Sequence, residues 1–404
     1  MNDSVNGRVY DTVVVGGGPA GATAACDLAR AGRVVLLLDR AGRIKPCGGA
    51  IPPRLIKDFA IPDHLLVARI RSARMVSPAP RQVDMPIDGG FVGMVDRGPF
   101  DEWLRARAEE SGATRITGDY TRTTTESADL LRIHFTVRGA DGGAATDCSV
   151  LTRSLIGADG AASAVAKEHV PGAGRMRQVA AYHEIIRTPT TVEGGAFDGS
   201  RCDVWYQGEI SPDFYGWVFP HGETTSIGVG SAQRGYSLRQ GVTRLRTRAG
   251  LGEATTLRRE GAPIPMKPLR RWDDGRAVVV IGDAAGVVAP ASGEGIYYAM
   301  ASGRFGAEAV DGFLATGDVR QLAEVRRRFM AEHGRVFWVL GMMQYFWYSS
   351  DSRRERFVKM CADPDVQRLT WQAYMHKKLV RADPLAHIRI FLKDTAHLLG
   401  LGRA

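Results

Sequence analysis

Three kinds of residue in this chain have types and spacing suited to chemistry: glycines leaving apolar runs, a cysteine among prolines and glycines, and alternating aromatics. The first glycine set, Gly16-Gly17-Gly18-Pro19-Ala20-Gly21, follows Thr12-Val13-Val14-Val15. Gly16 permits a tight exit from a strand, and Gly18 lets a pyrophosphate approach the backbone. Gly21 lets the next helix pack closely on the sheet, with its N-terminal amides aimed at the phosphates. A helix over residues 22–31, closed by Gly32, leads to a second apolar run at 34–38 and then to Asp39. That places an acid about 20 residues past the glycines, where a ribose hydroxyl is bound. Strand, helix, strand and acid in this order predict a dinucleotide site. A second set, Gly282-Asp283-Ala284-Ala285-Gly286, follows Ala277-Val278-Val279-Val280-Ile281 near the other end of the chain. Two such turns predict one extended cofactor held from both sides of a single domain.

The cysteine of interest is Cys47. It lies in Lys45-Pro46-Cys47-Gly48-Gly49-Ala50-Ile51-Pro52-Pro53, whose prolines and glycines exclude regular structure and predict a shaped loop. A thiol is mostly protonated at neutral pH and can donate a proton, though weakly. A buried, inert thiol is the alternative for Cys47 and the expectation for Cys26, Cys148, Cys202 and Cys361. The aromatics Tyr215, Trp217 and Phe219 alternate along a strand-like segment ending at Pro220, so they share one face. Plain core packing competes with any role in binding. No metal site is expected, because His64, His134, His183 and His221 lack ligand spacing. No nucleophile elbow occurs.

The elements that must position these residues follow from periodicity. Residues 99–111 read as a helix, with Pro99 in its first turn and Phe100, Leu104 and Ala108 on one face. Arg97 stands just before it. Alternation in Leu131-Arg132-Ile133-His134-Phe135-Thr136-Val137 predicts half-exposed antiparallel sheet. Ser154-Leu155-Ile156-Gly157-Ala158-Asp159-Gly160 repeats the strand-to-glycine pattern. Further strands are expected around Cys202-Asp203-Val204-Trp205-Tyr206 and Thr225-Ser226-Ile227-Gly228-Val229, and helix from about 293 onward. The expected class is α/β: a Rossmann-like domain with an inserted antiparallel-sheet substrate domain and a helical C-terminal region. Its divisions fall at 1–75, 96–175 and 272–325 for the nucleotide-binding domain. The excursion 76–95 and the block 176–271 form the substrate domain, and 326–404 the helical region.

Composition narrows the partners. The chain has 404 residues, 44% hydrophobic and 24% charged, with a formal charge of +9. That size suits one large unit or a few intimately joined domains. Arginines are spread along the whole chain, so nucleic acid is not an expected partner; an anionic membrane face or an acidic substrate suits the charge better. Scattered cysteines without CxxC spacing, no secretory leader and no run long enough to span a bilayer predict a cytoplasmic protein. The uncharged aromatic stretch at 336–350 and a basic amphipathic pattern fit peripheral attachment to a photosynthetic or inner membrane. That pattern is set by Leu385, Ile388, Phe391, Leu392, Leu398 and Leu399, with Arg389, Lys393 and His397 elsewhere on the turn. A helix packed on the core explains the tail equally well.

Four motifs in order give a more specific likeness. GGGPAG with Asp39, VDRGPFDEWL at 95–104, GADGAAS at 157–163 and IGDAAGVVAPASGEGI at 281–296 resemble flavoproteins of the para-hydroxybenzoate hydroxylase type. KPCGGAIPPR at 45–54, SPDFYGWVFP at 211–220 and DPDVQRLTWQAYMHKKL at 363–379 are similar to the geranylgeranyl reductases of chlorophyll and bacteriochlorophyll synthesis. The resemblance implies FAD, with Gly16, Gly18, Ala20, Gly21, Asp39 and Arg40 at its ADP half and the Asp159-Gly160 turn near the pyrophosphate. It implies Arg97, Cys47, Gly48 and Gly49 near the flavin, and Gly282 and Asp283 at the ribityl chain or pyrophosphate. It also aims the amides of Gly293, Gly295 and Ile296 at the flavin ring. Taken alone, Asp283 would be a helix cap, Asp159 a turn residue and Arg97 a surface arginine. The family carries an arginine shortly after Ser163, where this chain has Ala166 and Lys167.

The activity so implied is saturation of three of the four double bonds of a geranylgeranyl chain to phytyl. The chain would be carried by a tetrapyrrole or a diphosphate. Cys47, Tyr215 and Trp217 would then be catalytic, and Tyr215, Trp217 and Phe219 would line an apolar tunnel. NADPH as reductant rests on the resemblance alone, since Gly228-Val229-Gly230 is too short to be a second nucleotide turn. A monooxygenase or epoxidase of the same fold, and a non-catalytic prenyl-lipid carrier, are the competing functions.

Overall fold

The computed structural model describes residues 8–40, 44–138, 144–189 and 197–377. They divide into two compact units. One takes the chain up to Lys45, Arg97–Gln178 and Pro263–Gly334; the other takes Pro46–Asp96, Val179–Ala262 and the described residues from Arg335 onward. The tail pattern built on Leu385 to Leu399 lies outside the described residues.

In the first unit the apolar runs become parallel strands. Val9–Val15 pairs on one side with Val35–Asp39 and on the other with Ala145–Gly157. The seven-stranded sheet runs Thr114–Thr117, Val35–Asp39, Val9–Val15, Ala145–Gly157, Leu131–Arg138, Asp119–Thr125, with Val278–Val280 also on Ala145–Gly157. The long strand changes partner along its length. Its first part is antiparallel to Leu131–Arg138, whereas Leu155, Ile156 and Gly157 run parallel to Val278–Val280. Strands covered on both faces read as continuous apolar runs. Val13, Val14, Leu36, Leu37, Val279 and Val280 are accordingly fully buried, each contributing on the order of 2 kcal/mol.

The carboxyl ends of these strands are stitched together. Gly16 N donates to Leu38 O at 2.8 Å, Ala158 N to Val15 O at 2.7 Å, and Ile281 N to Gly157 O at 2.9 Å. Ligands of open α/β sheets bind at this end. Helix Pro19–Arg30 packs against helix Ile296–Thr316 with backbone in contact, since a Cβ on Gly303 would overlap Ala20 O. The helix expected from residue 99 begins two residues earlier, as Arg97–Glu110, so Arg97 belongs to its first turn.

The second unit is built on another seven-stranded sheet. Its order is Thr256–Pro265, Gln178–Arg187, Thr224–Ser231, Gly216–His221, Arg201–Trp205, Ser72–Val76, Gln82–Pro86. Its two faces differ because side chains alternate along each strand. Ile186, Val218, Ile227 and Val229 pack with Val242 and Leu245 of helix Leu238–Arg248 into an aliphatic core. The alternate residues carry Trp217, Phe219, Ser226 and His183 to the other face. A three-stranded sheet, Ala50–Ile51, Val92–Val95 and Leu66–Ile70, completes the strands. Among the described residues no helix is long and apolar enough to cross a membrane, and no cluster of His, Cys, Asp and Glu could hold a metal ion.

Candidate active site

The first glycine turn has the form its residues predict. Gly16 sits at φ +104°, a conformation that requires glycine. A Cβ on Gly21 would overlap Gly16 O, so no side chain fits where this helix meets its strand. A Cβ on Gly18 would meet nothing within 4 Å, leaving open space against the backbone. Gly18 is also the N-cap of helix Pro19–Arg30, with no side chain bonded to the first amides. Helix Ile296–Thr316 likewise opens on an uncapped glycine, Gly295. An uncapped helix start with open approach, as at Gly18, suits an anionic ligand.

The second glycine turn meets the first. A Cβ on Gly282 would come within 2.7 Å of Ala20 Cβ, and Gly282 N donates to Ser302 Oγ at 2.9 Å. Asp283 is buried at the start of that turn, and a Cβ on Gly295 would stand 3.8 Å from its Oδ1. Asp283, Gly295 and Ile296 are thus brought together, with Gly293 just before them at φ +66°. Lys45, which was not among the expected site residues, joins them. Its Nζ forms an ion pair with Asp283 Oδ2.

Arg105 was missed as well. Its Nη1 donates to Asp39 Oδ2 at 3.2 Å and to Gly17 O at 3.3 Å, so one guanidinium spans the glycine turn and the expected ribose acid. The signal was available as the i, i+4, i+8 stripe Arg97, Asp101, Arg105 on a helix. Asp39 Oδ1 takes no hydrogen bond among the described residues, and Arg40 follows it exposed. Glu102 holds Arg105 in place through Nε at 3.1 Å and Nη2 at 2.9 Å. Glu102 also binds Arg115, and these bonds lower its carboxyl to about 2.

Other expected residues have local partners. Arg97 is buried in a forked pair with Asp101, Nε to Oδ1 at 2.9 Å and Nη2 to Oδ2 at 2.7 Å. Asp159 accepts from Ser163 Oγ at 2.5 Å and from Ala164 N at 2.7 Å, capping the short helix Ala164–His169 beside Gly160. Lys167 donates to Ala162 O at 3.0 Å.

In the second unit the Cys47 loop lies on the aromatic strand. A Cβ on Gly48 would stand 3.0 Å from the Phe219 ring, and one on Gly49 would stand 2.5 Å from His221 Nε2 and from Val95 O. Gly49 N donates to Cys47 Sγ at 3.4 Å, and Gly49 O accepts from Val95 N at 2.9 Å. Two glycines therefore let the loop lie flat, with the half-buried thiol held over its own turn. His221 is buried with Nδ1 2.9 Å from Phe219 O; burial lowers its pKa and favours the neutral ring.

Tyr215, Trp217 and Phe219 form a ladder of rings, with centroids 6.1 Å and 6.4 Å apart. Tyr215 precedes the strand and stacks on Phe214 at 4.2 Å. Burial, with Tyr348 and Cys47 adding to it, pushes the Tyr215 hydroxyl well above its ordinary value. The C-terminal motif joins this face: Trp371, Tyr374 and Met375 of helix Pro364–His376 pack with Phe219 around Ile70, Met94 and Cys202.

A Rossmann-like sheet with two converging glycine turns, joined to a sheet unit with an aromatic face, defines the fold of nucleotide-binding flavoenzymes. Residues 14–59 match the NAD(P)-binding Rossmann-like domain family, and residues 225–395 match the lycopene cyclase protein family. A flavin-dependent brominase superposes with a TM-score of 0.73 at 15% identity over 97% of this chain and 100% of its own. A geranylgeranyl bacteriochlorophyll reductase-like protein of Thermoplasma acidophilum gives 0.77 at 20% identity over 94% and 99%. The geranylgeranyl diphosphate reductase of Rhodobacter capsulatus is 58% identical over 97% of this chain and 98% of the relative. The chain belongs to the geranylgeranyl diphosphate reductase family, a family of oxidoreductases.

Proposed function

We propose that this protein is an FAD-dependent reductase that saturates three isolated double bonds of a geranylgeranyl chain. The chain is carried by (bacterio)chlorophyll or by diphosphate, and NADPH is the reductant. The observation that carries this reading is the Cys47–Gly48–Gly49 loop laid against a strand of aligned aromatic rings. In the nucleotide unit the amides of Gly18, Ala20 and Gly21 hold the pyrophosphate, and Asp39 Oδ1 binds the adenosine ribose. Gly282, Asp283, Gly293, Gly295 and Ile296 serve the flavin side, with Lys45 fixing Asp283.

Bound FAD, once reduced by NADPH, would supply the hydride for one carbon of each bond while the other carbon takes a proton, so that one NADPH and one proton are consumed per bond. Cys47 Sγ holds that proton on a loop tied by the Gly49 N to Cys47 Sγ and Val95 N to Gly49 O hydrogen bonds. A buried phenol raised far above its ordinary value is a poor acid, so Tyr215 serves through its ring. The faces of Tyr215, Trp217 and Phe219 stabilise positive charge as it develops, and the burial of Tyr215 and Trp217 excludes water. Trp338 and Tyr345, 68% and 83% exposed, share a helix face with exposed Met342 and suit seating on an anionic bilayer, where prenylated pigments partition.

The decisive assay is anaerobic incubation with FAD, NADPH and geranylgeranyl bacteriochlorophyll, chlorophyll or diphosphate, followed by mass spectrometry. Mass should rise in steps of two hydrogens. No gain with any of the three would refute the reading, and a product that requires oxygen would replace it with a monooxygenase.

A further inference from the structure

Behind the aromatic ladder lies a line of polar side chains that the reaction as described does not use. Trp217 Nε1 donates to Ser226 Oγ at 3.1 Å, Ser226 Oγ lies 2.9 Å from His183 Nδ1, and His183 Nε2 lies 3.0 Å from Glu260 Oε2. Arg258 closes the line with an ion pair to Glu260 Oε1. Ser226 is fully buried and His183 nearly so.

Strand register builds this line from four neighbouring strands. Gly228 stands opposite His183 on one side and opposite Trp217 on the other. A Cβ there would overlap the Trp217 ring and stand 2.6 Å from His183 Cβ. With no side chain at 228, the indole lies across the strand and reaches Ser226, two residues along on the same face. His183 reaches the same hydroxyl from the opposite strand.

With a neutral imidazole at His183, the donors and acceptors fit one arrangement. An indole N–H only donates, so Ser226 Oγ must accept from Trp217. An ionised Glu260 only accepts, so His183 Nε2 carries the proton directed at it, and the bare Nδ1 of a neutral imidazole accepts from the Ser226 hydroxyl. Burial would raise the Glu260 carboxyl, but the His183 bond and the Arg258 guanidinium outweigh it and hold Glu260 ionised below the usual range. Every bond in the chain therefore points the same way, and each strengthens the next.

We propose that Glu260, His183 and Ser226 are positioning residues that fix the Trp217 indole and polarise its N–H, keeping its ring face electron-rich. This rests on the proposed reduction, in which that face meets developing positive charge. Removing the acceptor leaves a buried indole N–H unpaired, so the ring turns and its face loses electron density.

The test compares purified holoenzymes. Ser226→Ala should lower kcat about tenfold, less than the roughly thirtyfold worth of a whole desolvated cation–π contact, with KM and flavin content little changed. Glu260→Ala should reproduce that loss, and Glu260→Gln, which still accepts from His183, should recover most of it. In a Trp217→Phe background, where no N–H exists, Ser226→Ala should cost nothing further. Independently of turnover, the Trp217 indole band in ultraviolet resonance Raman difference spectra should report a strong N–H hydrogen bond that Ser226→Ala removes. A Ser226→Ala enzyme with unchanged kcat, an equal loss in both backgrounds, or an unshifted indole band would overturn the proposal. If the parent enzyme reduces no prenyl substrate, the functional reading fails, while the Raman comparison still decides whether the relay acts on Trp217.

Discussion

In the nucleotide unit, the groups we propose for ligand binding are mostly backbone amides, placed by glycines whose missing side chains leave room for other atoms. In the sheet unit they are side chains, Cys47, Tyr215, Trp217 and Phe219, brought together from a loop and a strand. Glycine acts in both, in opposite ways. Gly18 leaves open space against the backbone, whereas Gly48 and Gly228 let parts of the chain press on aromatic rings. Substitutions in the first unit should therefore change cofactor retention, and those in the second should change turnover with the cofactor in place.

Gly21→Ala should break the contrast most severely. Its Cβ would overlap Gly16 O inside a helix, so we expect loss of flavin absorbance and about 3 kcal/mol or more of stability in a urea titration. Gly228→Ala comes next. It should displace the Trp217 ring by a fraction of its width, leave the flavin spectrum intact, and lower kcat about 100-fold, the cost of misplacing a group by roughly 1 Å. If Gly228→Ala strips the flavin instead, the division of labour between the units is wrong.

Smaller effects sharpen the contrast. Arg105→Ala removes the guanidinium that spans Gly17 O and Asp39. Flavin titration should show affinity about tenfold weaker, the worth of one charge-assisted contact, with kcat at saturating flavin unchanged. Glu102→Gln should have the least effect, below ~1 kcal/mol, because half of its side chain is in solvent. Its pH signature has a defined sign. A carboxyl lowered to about 2 by Arg115 and Arg105 adds stability above its ordinary range. That contribution is lost as pH falls from about 4.5 through about 2. The acid limbs of the parent and Glu102→Gln should converge in that window.

The first unit was largely legible because its determinants are local. A strand, a glycine turn and an acid follow one another within a single βαβ unit, and Asp39 falls where that spacing places it. Arg105 escaped notice because its partners, Gly17 and Asp39, are distant in sequence and meet it only when its helix docks. Lys45 was visible within its motif, but its pairing with Asp283 depends on the convergence of two turns from opposite ends of the chain. In the second unit, alternation placed Tyr215, Trp217 and Phe219 on one face. It could not show that His183 and Glu260 stand behind Trp217, since register across four strands is not written in any one of them.

The sequence by itself determined the parallel strands, the two glycine turns and the family, because short-range steric and hydrophobic patterns specify those directly. Tertiary structure alone decided which charges meet across the turns and which polar groups reach Trp217. Those contacts join residues as far apart in sequence as Lys45 and Asp283, and only folding brings them within bonding distance.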